Sequence, residues 1–154
     1  MGKGMYFNSP VGRLWIEEEE NKIIQISGLA LNKVECPTVF LKMVCRELSE
    51  YFQGRRKEFT FPIALRGTAF QLRVWQALRE IPYGKTKSYK EIANEIGSPN
   101  SYRAVGGACN KNPILLAIPC HRVLGNTQSL TGFGLGLNAK EALLRLEGCR
   151  YNKN

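Results

Sequence analysis

Apolar positions along the chain change period twice, and each change marks a different kind of element. Between Tyr6 and Ile26, the runs Val11-Gly12-Arg13-Leu14-Trp15-Ile16 and Lys22-Ile23-Ile24-Gln25-Ile26 are short and β-rich, which predicts a hairpin with Glu17 to Asn21 between its strands. The period then lengthens. From Thr38 to Phe52, the residues Val39, Leu41, Val44, Cys45, Leu48 and Phe52 recur at helical spacing and Gly54 follows as a stop, so one amphipathic helix is expected. A basic and then extended stretch, Arg55 to Pro62, leads through Arg66-Gly67 into a chain of different character. The domain boundary is placed there, giving an N-terminal domain of residues 1–67 and a C-terminal domain of residues 68–154.

Beyond the boundary the pattern is helical. Thr68 can cap a helix that carries Phe70, Leu72, Val74, Trp75, Leu78 and Ile81 and ends at Pro82-Tyr83-Gly84. Ser88 begins a second, with Glu91 three residues on, and Gly97-Ser98-Pro99-Asn100 breaks it. A third starts at Ser101 or Tyr102. Two short helices joined by a tight glycine-containing turn have the outline of a helix-turn-helix, although many such hairpins bind nothing. The third helix, Ser101 to Cys109, holds Gly106 and Gly107, each costing about 1 kcal/mol relative to alanine. Small residues let a helix backbone approach a partner closely, and Arg103 is the long cation among them.

Charge agrees with this reading. The chain has 154 residues, enough for one domain or two small ones, and a net charge of +9, which favours an anionic partner such as nucleic acid. Residues 68–154 hold 12 Lys and Arg against 5 Glu, a surplus of 7, whereas residues 1–67 hold 10 against 8, a surplus of 2. The second half is the expected DNA-facing part. All 13 acidic residues are glutamates and there is one histidine, a poor inventory for Asp-held Mg²⁺ or for zinc, so a metal enzyme is not expected. The 5 cysteines are odd in number and contain no CxxC pair, which speaks against a disulfide scaffold and for a reducing, cytoplasmic home. Neither a signal core nor a membrane-length apolar run is present, so no membrane association is expected.

The most unusual stretch is Asn112-Pro113-Ile114-Leu115-Leu116-Ala117-Ile118-Pro119-Cys120-His121-Arg122-Val123, where an apolar run ends on a reactive pair. A lone cysteine is usually an inert core residue. Here the single histidine adjoins it, Pro119 bends the chain before it and Arg122 adds positive charge, surroundings expected to lower the thiol pKa and produce a nucleophile. In an extended segment Cys120 and His121 would point to opposite sides, so a bridging water or a sharp turn is required. With no Asp available, the group that orients the imidazole must be a glutamate, an amide or a carbonyl, and the apolar-flanked Glu147 is a candidate.

Ile118-Pro119-Cys120-His121-Arg122-Val123, with Ser88-Tyr89, Tyr102-Arg103-Ala104-Val105-Gly106 and Leu146-Glu147-Gly148, closely resembles the O6-alkylguanine-DNA alkyltransferases, which repair DNA by direct reversal. The match keeps order and spacing over residues 68–148, while the N-terminal half is similar mainly in its Ser9-Pro10-Val11-Gly12 start and its strands-then-helix outline. The resemblance implies an α/β plus α fold: a small N-terminal ribonuclease H-like α/β domain with an antiparallel sheet, and a C-terminal helical domain with a winged helix-turn-helix-like motif. It implies no cofactor, a monomer, and double-stranded DNA containing alkylated guanine as partner. Cys120 would accept the alkyl group, His121 would be the water-mediated base, Glu147 its orienting partner, Asn112 a support for the turn, and Tyr89 the donor to the purine ring. Arg103 would fill the space of a nucleotide flipped through the minor groove, beside the small Ala104 and Gly106, with Lys90, Ser98 and Asn126 on the DNA backbone.

Val123, Phe133, Gly134 and Leu135 would line the substrate pocket. Relatives usually have Tyr where this chain has Phe133, and many have Gly at Leu135, so a narrower pocket favouring methyl over benzyl adducts is expected. Three other readings compete. A non-catalytic damage sensor of the same outline carries Trp in place of Cys120, a helix-turn-helix regulator needs no reactive cysteine, and a cysteine hydrolase places Cys and His far apart in sequence.

Overall fold

The computed structural model describes residues 2–28 and 30–153, in two compact units: the described residues up to 65 with 113–115, and residues 66–112 with 116–153. In the first, β1 (Lys3–Ser9), β2 (Gly12–Glu19) and β3 (Lys22–Ser27) form an antiparallel sheet in sequence order, and α1 (Val39–Phe52) packs against β1 and β2. The anticipated hairpin is β2 and β3, turning through Glu20 and Asn21, both at positive φ. Strand β1 is an addition to the sequence reading, because Gly4, Asn8 and Ser9 dilute its β signal. Gly4 is nevertheless required there, since a Cβ at that position would collide with the Trp15 ring. The outer edge of β3 is covered on both sides of its midpoint, by a parallel bridge from Ile23 to Ile63 and another from Ile26 to Ile114. An edge so covered cannot recruit another strand.

Thr38 caps α1 through its hydroxyl, which accepts from Leu41 N–H. Leu41, Val44 and Leu48 are buried as the spacing predicts, but Val39 points to solvent and Tyr51 takes the core position expected of an apolar residue. Glu47 is buried too. Its carboxylate accepts from the backbone N–H and the hydroxyl of Thr60 at 2.7 and 2.5 Å, which ties the basic segment after α1 to the helix.

The second unit contains α2 (Ala69–Arg79), β4 (Lys87–Ser88), α3 (Tyr89–Glu95), α4 (Tyr102–Asn110), β5 (Val123–Leu124) and α5 (Leu137–Leu146). The expected capping box of Ser88 with Glu91 is present, and the expected Thr68 cap is completed by Gln71 into a second box. Gly97 stands at φ +77 between α3 and α4, where the Ser98 N–H returns to Ala93 O, so the helix pair is closed by a left-handed residue. Ser101, by contrast, makes no side-chain cap on α4. Among the described residues no helix is long and apolar enough to cross a membrane.

Candidate active site

Tight backbone turns, not an extended strand, carry the Cys-His pair. Pro119 adopts φ −80 and ψ 63, an inverse γ-turn in which the Cys120 N–H donates to Ile118 O at 2.8 Å. A 3₁₀ turn over Cys120–Arg122 follows at once, with the Arg122 N–H donating to Pro119 O at 2.9 Å. Asn112 holds the pair of turns from outside. Its Nδ2 donates to Ile118 O at 2.7 Å and to Cys120 Sγ at 3.2 Å, so one amide both fixes the bend and supplies a donor to the sulfur. Trp75 anchors the approach to Asn112 by donating its indole N–H to Ala108 O, near the end of α4, at 2.9 Å.

After the turn, β5 pairs in parallel with β4, Lys87 opposite Val123 and Ser88 opposite Leu124. Because Tyr89 follows β4 and Cys120 precedes β5 by a single turn, this two-residue ladder draws the phenol toward the thiol. The Tyr89 ring lies over Gly106 of α4, where a Cβ would stand 3.9 Å from it, and its hydroxyl shares a hydrogen bond of 3.0 Å with Thr131. Burial raises the Tyr89 pKa and outweighs that hydrogen bond, so the group stays a neutral phenol able to donate.

Behind the thiol lies a buried ionic chain. His121 Nε2 stands 2.7 Å from Glu147 Oε2, and both side chains are almost wholly enclosed, at 1% and 0% exposure. Arg122 grips the same carboxylate from its other side, Nε to Oε1 at 2.7 Å and Nη2 to Oε2 at 3.1 Å, and donates through Nη1 to Ile81 O at 2.7 Å. Burial works against ionisation of Glu147, yet the hydrogen bonds and charge of its two partners prevail and hold it at about 2. A carboxylate opposite Nε2 makes that nitrogen the donor, leaving Nδ1 as the basic atom of a neutral ring. Burial also lowers the His121 pKa, which keeps the ring neutral at rest. Nδ1 is the buried side-chain nitrogen without a hydrogen-bond partner among the described residues.

Two features correct the sequence reading. Arg122 is committed to Glu147 and Ile81, so its charge serves the carboxylate and not the sulfur. Burial raises the Cys120 pKa instead of lowering it, with the Asn112 donor and the Lys140 ammonium opposing that rise. The resting pair is therefore a neutral thiol and a neutral imidazole.

Lys140 escaped the sequence reading altogether. It is fully buried in α5, donates to Val123 O at 2.6 Å, and has its pKa pushed down by burial to about 8. A signal was available: Lys140, Leu143, Leu144 and Glu147 recur at the spacing of one helix face, so two charged residues occupy the apolar stripe of α5.

The structure brings Asn112, Cys120, His121, Glu147, Tyr89 and Val123 together in the second unit. The Phe133 ring meets His121 edge-on with centroids 6.3 Å apart, Leu135 is half-buried, and Gly134 faces open space. Lys90, Arg103, Ala104 and Asn126 are exposed, and Ser98 is half-buried in the turn between α3 and α4.

Comparison with known proteins agrees with this architecture in both halves. The family model for the 6-O-methylguanine DNA methyltransferase DNA binding domain matches residues 69–149, and that for its ribonuclease-like domain matches residues 3–65. The chain belongs to the 6-O-methylguanine DNA methyltransferase family. Within the family, it is 44% identical to the methylated-DNA--protein-cysteine methyltransferase of Methanosarcina acetivorans, over 92% of this chain and 96% of that one. The Haemophilus influenzae protein of the same name is also 44% identical, over 95% and 86%. Among solved structures of the 6-O-methylguanine DNA methyltransferase family, the Mycobacterium tuberculosis protein in complex with DNA superposes with a TM-score of 0.86 at 42% identity, covering 96% of this chain and 92% of that one.

Proposed function

We propose that this methyltransferase repairs DNA by direct reversal, moving the alkyl group of O6-alkylguanine, and by extension O4-alkylthymine, onto Cys120. The observation that carries the reading is the buried chain His121, Glu147, Arg122 in the turn next to a buried Cys120 whose sulfur accepts from Asn112. A thiol raised by burial is protected from adventitious oxidation, and becomes a nucleophile only when a base removes its proton.

The step is an in-line displacement. A bridging water passes the Cys120 proton to His121 Nδ1, the S–C bond forms as the O6–C bond breaks, and the bonding pair moves into the purine. Tyr89 offers its phenol proton to the ring, which spares the site a free guanine anion, and the imidazolium returns the proton taken from the thiol to the phenolate through water. Glu147 stabilises the imidazolium that forms. The product is a thioether with no hydrolytic route back, so each molecule acts once, as a monomer and without a cofactor.

The target base leaves the duplex to reach a thiol that is only 5% exposed. Residues 68–154 carry this work, with α4 entering the minor groove, Arg103 filling the vacated space, and Lys90, Ser98 and Asn126 on the backbone. Arg103, Ala104 and Gly107 share the exposed face of α4, and nothing lies within 4 Å of a Cβ built at Gly107. Gly107→Ala is thus expected to stabilise the fold by about 1 kcal/mol in urea titration. The same methyl, placed against the groove, is expected to weaken duplex binding in anisotropy titrations.

Intact mass spectrometry after mixing with duplex DNA containing O6-methylguanine tests the function. A single +CH₂ shift in the wild type, absent from Cys120→Ala, is expected. Tight binding without a shift would replace the reading by damage sensing. On the pocket side, Val123, Phe133, Gly134 and Leu135 are proposed as the lining, with Leu135 narrowing it, and O6-benzylguanine in duplex DNA is expected to react more slowly than O6-methylguanine. Equal rates would remove Leu135 as the cause of selectivity.

A further inference from the structure

The reaction above gives no task to Tyr102, the first residue of α4. The residue is 36% exposed, and it stands one position inside the helix start rather than at the cap. What the ring meets is charge from two helices. Lys90 Nζ of α3 lies 5.4 Å from its centroid and Arg103 Cζ of α4 lies 5.9 Å from it, both inside the reach of cation–π attraction. Among the described residues neither cation has a carboxylate partner, so the ring is what gathers two like charges that would otherwise repel.

The place of the cluster is equally specific. Tyr89, Lys90, Tyr102, Gly125, Asn126 and Thr131 line one cleft of about 200 Å³. The proposed proton donor therefore shares an opening with Lys90 and with the Tyr102 ring, against which Arg103 also lies.

We infer that Tyr102 is a positioning residue for DNA engagement: its ring holds Lys90 and Arg103 as a clamp at the rim of the Tyr89 cleft, setting Arg103 to replace the flipped nucleotide and Lys90 against a flanking phosphate. The inference rests on the proposed function for its substrate and adds a residue to it. Lysine and arginine lose much rotamer freedom when they dock, and a side chain restrained beforehand loses less. The aromatic face does this work, and the hydroxyl does not.

Tyr102→Leu and Tyr102→Phe separate the ring from bulk and from the hydroxyl. Their affinities for duplex DNA are read by anisotropy over a salt series, and their self-alkylation rates are read on O6-methylguanine duplex and on the free base, which needs no DNA face. Loss of the ring is expected to weaken duplex binding about fivefold at low salt, consistent with modest cation–π strength. The salt slope is expected to stay unchanged, because no cation has been removed. The ratio of duplex to free-base rates should fall by a similar factor, and Tyr102→Phe should restore both readouts.

Duplex affinity unchanged in Tyr102→Leu, an equal loss on duplex and free base, or failure of Tyr102→Phe to restore binding would each overturn the inference. Absence of alkyl transfer in the wild type would overturn the function alone, since the affinity comparison needs no alkyl transfer.

Discussion

Glu147→Gln is expected to lose both stability and activity. The wild-type carboxyl, taken from 4.5 to about 2 by its surroundings, gains about 3 kcal/mol from being ionised in the fold. An amide of the same shape leaves Arg122 buried against a neutral group, and removal of one partner from a buried ion pair costs about 3–5 kcal/mol. The pH dependence has a definite sign. Because the folded value is depressed, the wild-type advantage is fully present above about pH 4.5 and is lost as pH falls toward 2. Urea midpoints of wild type and variant should therefore be far apart at pH 7 and converge in acid. Alkyl transfer should also fall by about 10²–10⁴, the usual contribution of general base catalysis, because the imidazole loses both its orientation and its counter-charge. Equal urea midpoints at pH 7 would sink the assignment of Glu147 as the anchor of the chain.

Lys140→Met should do the opposite to stability and the same to rate. The wild-type ammonium, lowered from 10.5 to about 8, carries a burial penalty of about 3 kcal/mol below pH 8. That penalty disappears as pH rises from 8 to 10.5, because the unfolded chain is the tighter binder of the proton in this window. Methionine removes the charge and leaves Val123 O without its donor, a loss of about 1 kcal/mol, so a net gain of about 2 kcal/mol is expected at pH 7. Activity should move the other way. Lys140 is the cation that opposes the burial of the Cys120 thiolate, and each unit by which the thiol rises removes about tenfold of the nucleophile. Single-turnover rates across pH, beside urea titrations, read both effects. A destabilised Lys140→Met with an unchanged rate profile would show that the lysine serves packing alone.

The contrast between these two residues explains how far the site could be read from the chain. Cys120 and His121 announce themselves, because the one histidine of the chain adjoins a cysteine that follows a proline, whereas the absence of Asp leaves a glutamate, an amide or a carbonyl for the third group, and the roles of Glu147 and Asn112 come from the family resemblance. Their geometry was less accessible. An extended segment would put Cys120 and His121 on opposite faces, so a water or a sharp turn was required, and the Pro119 γ-turn and the following 3₁₀ turn bury both side chains. Arg122 looked like an activator of the thiol because it is close in sequence, but charge acts through space, and a bidentate grip on Glu147 spends it elsewhere. Lys140 was overlooked because a lysine on a helix is normally a solvated side chain.

Helix starts were legible since caps act over three residues: Thr68 with Gln71 and Ser88 with Glu91 close locally whatever the rest of the chain does. Strand β1 was not, because a strand is stabilised by its neighbour, and the suitability of Gly4 depends on where the Trp15 ring comes to lie. The sequence by itself thus determined the order of the helices, the charge asymmetry and the reactive Cys-His pair, all of which depend on residue type and short spacing. Tertiary structure decided which charge faces which partner and whether the thiol rests protonated. Those are questions of distance and burial, and the groups that answer them, Asn112, Cys120, Lys140 and Glu147, are brought together only by the fold.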